Sequence, residues 1–395
     1  MTVPLSVLDL SPISAGSTAQ QALRNTIDLA RHAERWGYHR YWLAEHHFAA
    51  VAGSAPATLI GLVAAATARI RVGSAAMQMG HHTSASVVEA FGTVDALHPG
   101  RLDLGLGRSG HRRARYAAPA DPKGSRPEPD STAGHAVIRD GVVVPPPFDW
   151  NRIVDRSKSR AALAALQQRG AQPPDFAEQV DEVCALLNGT FTGADGIALH
   201  AVPGEGAQVQ LWLVGSSAGE SAEIAGRHGL PFAAAYHIAP GTALDAVAAY
   251  RAAFRPSHHL SRPYVVVSAD VVVAVDDTTA RHLASTYGHW VYSIRSGSGA
   301  ADYLDPDTAA PLTPEQLRLV EDRLATQFVG APTTVVDRLR ALQQATAADE
   351  LLITTITHRH EDRLKSHRLL SEAWRSAPVP TSPIHIRAPA RSESR

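Results

Sequence analysis

The feature that most constrains this chain is an alternation: short apolar runs take turns with amphipathic stretches of helical spacing, the pattern of repeated strand and helix units around a parallel sheet. Strands are expected over residues 5–10, 41–44, 70–76, 102–106, 210–214, 232–235, 265–275 and 350–354. Helices are expected over 18–36, 56–66, 87–97, 176–187, 219–228, 244–254, 317–327 and 333–345. In the first helix Leu23, Ile27, Ala30 and Ala33 share one face, and Gly37 is placed to cap its end. About eight such units with no hinge-like linker predict a closed (β/α)8 TIM barrel rather than an open doubly wound sheet. The barrel forms a single domain over residues 1–375, with a flexible tail over 376–395. Between residues 110 and 174 the period fails and prolines crowd, Pro145-Pro146-Pro147 among them. This reads as a long inserted loop whose polar, proline-rich composition favours disorder over a lid.

With 395 residues, 45% of them hydrophobic, the chain can bury a large core. Its formal net charge of −1 gives no electrostatic footprint for nucleic acid or an anionic membrane, which leaves small-molecule chemistry as the default. The single cysteine, Cys184, excludes an intrachain disulfide and cysteine-rich metal sites. The first residues lack a basic region followed by a long apolar one, and no run approaches a membrane span, so the chain reads as soluble and cytoplasmic.

A barrel collects its chemistry at the carboxyl ends of its strands. The ends to inspect are Glu45-His46-His47, Ala75-Ala76-Met77-Gln78, Gly105-Leu106-Gly107-Arg108-Ser109 and Gly215-Ser216-Ser217. A histidine there suits proton transfer near neutral pH, whereas one that merely bonds the rim is the blander reading. Histidine pairs such as His46-His47, His81-His82 and His258-His259 resemble ligand clusters, but strand neighbours point to opposite faces and no His-Glu-x-x-His occurs. No metal site is expected. Arg108 carries a planar fork suited to phosphate, and Gly215-Ser216-Ser217-Ala218-Gly219-Glu220-Ser221 joins a strand to a helix start whose amides suit an anion. The Gly105-Leu106-Gly107 pair lacks the third glycine of a dinucleotide fingerprint, and no Gly-x-Ser-x-Gly elbow is present. A barrel with a histidine and a phosphate site suits isomerases, aldolases and flavoenzymes alike.

Several motifs in order resemble the flavin-dependent luciferase-like monooxygenases, the bacterial luciferase-like superfamily. They include Leu8-Asp9-Leu10-Ser11-Pro12, Trp42-Leu43-Ala44-Glu45-His46-His47-Phe48, Val72-Gly73-Ser74-Ala75-Ala76-Met77, Leu102-Asp103-Leu104-Gly105-Leu106-Gly107-Arg108 and Val329-Gly330-Ala331-Pro332. The resemblance implies reduced FMN supplied by a separate flavin reductase, O2 as cosubstrate, oxygenation of a small organic substrate, and a homodimer; light emission is not implied. It matches His46, with Glu45 beside it, to the catalytic position. Ala75 and Ala76, followed by Met77, match the pair packed under the flavin ring through a nonprolyl cis peptide. Arg108, Ser216, Ser217 and Ser221 match the flavin phosphate site. The alternatives are a deazaflavin (coenzyme F420)-dependent dehydrogenase or reductase and a noncatalytic flavin-binding subunit. The loop over 110–174 departs from the pattern on the substrate side.

Overall fold

A computed structural model describes residues 2–108, 135–153, 156–168, 170–171 and 174–377. Its strands are β1 (Leu5–Asp9), β2 (Arg40–Ala44), β3 (Arg71–Gln78), β4 (Leu102–Gly107), β5 (Val137–Arg139), β6 (Val142–Val144), β7 (Gln210–Gly215), β8 (Phe232–Ala234), β9 (Val265–Val273), β10 (Phe328–Gly330) and β11 (Glu350–Thr354). Parallel ladders join β9, β11, β1, β2, β3, β4, β7 and β8 edge to edge, and β8 pairs back onto β9 to close an eight-stranded barrel. The short β10 extends the sheet beside the carboxyl half of β9. The (β/α)8 TIM barrel expected from the sequence is therefore the fold.

Strands buried on both faces favour apolar residues, and β1, β2, β4 and β11 are buried from end to end, their buried polar residues Ser6, Asp9, Arg40, Asp103, Glu350 and Thr354 lying at or near the strand ends. Side-chain alternation then sorts the apolar residues into two cores. Val7, Tyr41, Leu43, Leu104, Leu213 and Ile353 pack outward beneath the helices. Leu8, Trp42, Ala44, Ala75, Trp212, Ala233, Val266 and Leu352 pack inward and fill the lumen, where Trp42 and Trp212 meet edge to face at 5.0 Å. Local signals set several boundaries. Pro56 opens the helix Pro56–Ala66, and the Asp175 side chain caps Phe176–Leu187 by accepting from the Ala177 amide.

The amino-terminal end of the lumen is a charged floor. Arg40 donates to Asp103 at 2.8 Å, to Glu350 at 3.1 Å and to Gln210 at 2.9 Å. Asp103 also accepts from the Trp42 indole at 2.9 Å and from Arg71 at 2.7 Å. Ser6 and Tyr264 donate to Glu350. The Arg40 guanidinium lies 4.6 Å from the Trp212 ring, so this cation is paired, hydrogen-bonded and stacked at once.

Part of the inserted loop corrects the sequence expectation. Residues 109–134 and the tail from 378 onward lie outside the described residues. From residue 135, however, β5 and β6 form an antiparallel hairpin, and Ser157–Leu166 is helical. The segment is too short to build a core of its own, so order here comes from docking on the barrel. Val142 and Val144 are buried, Tyr236 donates to the Val143 carbonyl at 2.6 Å, and Phe148 stacks on the Arg295 guanidinium at 3.8 Å. Gln167 donates to Gly80 at 3.1 Å, and a side chain at Gly241 would meet the Pro145 carbonyl at 2.5 Å. The segment thus reaches the loops after both β8 and β3, over the carboxyl face.

Candidate active site

On β2 the alternation places Arg40, Trp42 and Ala44 inward, and the same parity carries His46 to the lumen side of the mouth. Glu45 and His47 fall on the other side. The Glu45 carboxylate, 3% exposed, accepts at both oxygens: from His47 Nε2 at 2.7 Å and His82 Nε2 at 2.8 Å on Oε1, and from the Gln78 amide at 2.7 Å on Oε2. Gln78 Nε2 donates back to the Glu45 carbonyl at 2.6 Å, which locks the end of β2 to the end of β3. Burial alone would raise the Glu45 carboxyl, but the hydrogen bonds from His47 and His82, the His82 charge and the Gln78 amide outweigh it and bring it down to about 2. Glu45 is an ionised anchor. His46 is held through its amide, which donates to the Gly53 carbonyl at 3.1 Å. Phe48 ends the motif with φ of 54°, in the left-handed region that costs a bulky residue energy, and its ring is exposed at the rim.

Ala75 lies in the lumen and Ala76 beside it is half-buried. Their peptide corrects the expectation of a cis bond: it is trans, and among the described residues the cis bond is Val202–Pro203. The irregularity is taken up instead by a bulge, since the pairing of β3 shifts register against both β2 and β4. Gly105 makes room for it, because a Cβ there would lie 2.4 Å from the Ser74 carbonyl oxygen and 2.5 Å from that of Ala75. Met77 is buried in the outer core beneath the helices, so its side chain does not line the mouth with the two alanines.

Arg108 follows β4 and donates to Glu220 at 2.5 Å. Glu220 opens the helix Glu220–Arg227, whose start at Gly219 carries no side-chain cap. The Ala222 and Glu223 amides turn back to the Gly219 carbonyl at 2.9 and 3.1 Å, so the amides that face outward to an anion are those of Glu220 and Ser221. Ser216 and Ser217 precede it and are partly exposed; the Ser216 carbonyl accepts from Thr242 at 2.5 Å. Ser221 is buried against the strand end, its Cβ 3.2 Å from where a Gly215 Cβ would stand. Arg108 and the end of the serine loop, far apart in sequence, thus meet at the start of this helix, with Glu220 pairing the guanidinium.

Sequence reasoning missed three participants. His82 shares the Glu45 anchor; Glu220 neutralises Arg108; and His237, beyond β8, has Nδ1 2.5 Å from Ser268 Oγ. The last carried no strand-parity signal, because residues 236–238 turn beyond β8.

Fold and site together define a (β/α)8 barrel with a histidine-bearing mouth and, on the same carboxyl rim, an arginine paired at an uncapped helix start. The chain belongs to the luciferase-like monooxygenase family, whose model matches residues 3–126 and 162–349 and so skips much of the insertion. It is 36% identical over 378 residues to YvbT of Bacillus subtilis, covering 94% of this chain and 97% of that protein. It is 31% identical over 370 residues to a luciferase-like monooxygenase of Escherichia coli (strain K12), covering 93% and 96%. Among solved structures apo-MsnO8 superposes with a TM-score of 0.73 at 30% identity, over 95% of this chain and all (100%) of that one. Two more distant structures share the fold. The oxygenating constituent of 3,6-diketocamphane monooxygenase in complex with FMN has a TM-score of 0.62 at 18% identity, covering 96% of this chain and 100% of that one. An F420-dependent secondary alcohol dehydrogenase has 0.57 at 14%, covering 95% and 100%. Among the described residues no helix is long and apolar enough to cross a membrane.

Proposed function

We propose that this chain is the oxygenating component of a two-component flavin-dependent monooxygenase, taking reduced FMN from a separate reductase and using O2 to oxygenate a small organic substrate. One observation carries the reading: the meeting of Arg108 with the uncapped start of Glu220–Arg227 on the rim that also presents His46. The residues fit the cofactor. Arg108, Ser216, Ser217 and the first amides of the helix would hold its phosphate, with Ser221 shaping the loop from beneath. Ala75 and Ala76, with methyl groups only, would leave a flat surface for its ring. Bound reduced FMN supplies the electrons that let O2 transfer one oxygen atom. The protein's part is to place and protect. His46 would hold or pass a proton at its imidazole, and Glu45 keeps His47 and His82 in register beside it. The reading carries with it a homodimer in the cytoplasm, checkable by sedimentation and fractionation.

The test is titration of purified protein with reduced FMN, then with coenzyme F420, followed by O2 consumption with a panel of organic substrates. FMN binding with O2-dependent product is expected. Tight F420 binding without O2 uptake would overturn the assignment in favour of hydride transfer. His46→Ala should leave FMN affinity intact and lower turnover by roughly 10²–10⁴-fold; a loss confined to FMN affinity would remove His46 from the chemistry.

A further inference from the structure

His237 stands outside every role assigned above. It follows β8, the strand beside the one that ends in the serine loop, and the Ala235 amide binds the Gly215 carbonyl at 2.8 Å across that boundary. Residues 236–238 turn after β8, and the His237 ring lies against Ser268 of β9 and close enough to His46 to feel its charge, which puts it at the mouth. The partners of Ser268 frame its tautomer. The Ser268 hydroxyl has one proton, and the Ala234 carbonyl, 3.3 Å away, can only accept it. With that proton on the Ala234 carbonyl, the ring donates the 2.5 Å contact from His237 Nδ1 to the same oxygen; with it on Nδ1 instead, the ring proton would sit at Nε2, and the ¹⁵N spectra below decide between the two. Burial, then the charges of Arg323 and His46, drive the imidazole down to about 3, so it stays neutral. With Nδ1 as the donor, Nε2 keeps a lone pair, and among the described residues no group bonds it.

We propose that His237 is a cofactor-binding residue whose Nε2 accepts a hydrogen bond from an O–H or N–H donor of the bound flavin. This rests on the flavin reading above, and the ribityl hydroxyls and ring N–H groups of a flavin are donors of that kind.

The experiment compares FMN binding by flavin fluorescence for wild type, His237→Asn and His237→Gln, with ¹⁵N spectra of the histidines in the ligand-free protein. Asn can keep the Ser268 contact but has no atom at the Nε2 position, whereas Gln can place an acceptor there. Affinity should fall about tenfold in His237→Asn and stay within about threefold of wild type in His237→Gln. Unchanged binding in His237→Asn, equal losses in both variants, or a ring protonated at Nε2 in the free protein would overturn the inference. A wild-type chain that takes up no FMN would instead sink the proposed function, and the ¹⁵N spectra would still report the tautomer.

Discussion

The two ends of the barrel hold charge in opposite ways. At the floor, Arg40, Asp103 and Glu350 are buried, and each answers to several partners within the fold. At the rim, Arg108 and Glu220 form a pair whose side chains are 18% and 28% exposed, next to helix amides that no side chain caps. Buried charges without partners are costly, so a saturated network suits a scaffold; a partly solvated pair gives up little when it opens, which suits a binding site. Conservation of geometry is thus bought at one end and adaptability kept at the other.

The largest effect should come from breaking the floor. Asp103→Ala would strip the partner of Arg40, Arg71 and the Trp42 indole together, leaving buried donors unpaired at a cost of about 3–5 kcal/mol. Urea denaturation would register it; a loss under 1 kcal/mol would mean the floor relaxes like a surface. Next comes the Glu45 anchor, which sits at the rim but is built like the floor. Its carboxyl lies near 2 in the folded chain against an ordinary 4.5, so its contribution is complete above about pH 4.5 and is lost as pH falls toward 2. The difference corresponds to about 3 kcal/mol. Glu45→Gln should flatten that acid slope; an unchanged slope would place the acid sensitivity elsewhere. Arg108→Ala should cost less than either in stability, under about 1 kcal/mol, while weakening FMN by roughly 1.5–3 kcal/mol.

The floor and the rim also differ in how far the sequence announced them. The strands were legible because burial on both faces demands unbroken apolar runs, and Pro56–Ala66, Phe176–Leu187 and Glu350–Thr354 match residue for residue. His360–Ser376 was not, because Arg363, Ser366 and His367 are buried on its inner face and erase the apolar period; Arg363 is there to pair with Asp9, a partner from the other end of the chain. Asp277–Leu283 and Tyr287–Arg295 escaped for a related reason, being short and partly ordered by the Asp270, Tyr287 and Arg323 cluster. At the site, residue chemistry alone paired Arg108 with the serine loop, and Arg108 does meet the helix start that follows that loop. Glu220 and His82 could not be assigned partners, since each acts through a contact between different strand ends.

Glu220→Gln is the smallest change and the sharpest probe of the contrast. Removing this carboxylate takes away the acid that an incoming phosphate must displace from Arg108, and it leaves the guanidinium beside the uncapped amides. The helix loses an acidic residue from its first turn, worth about 0.3–1 kcal/mol of stability. Phosphate affinity should rise by up to about 1 kcal/mol, roughly fivefold, because a partly exposed pair holds no more than that. The gain should shrink in high salt. Calorimetric titration with FMN at two ionic strengths would measure both effects. If affinity falls instead, Glu220 is holding Arg108 in place rather than occupying it, and the rim would then resemble the floor in its logic.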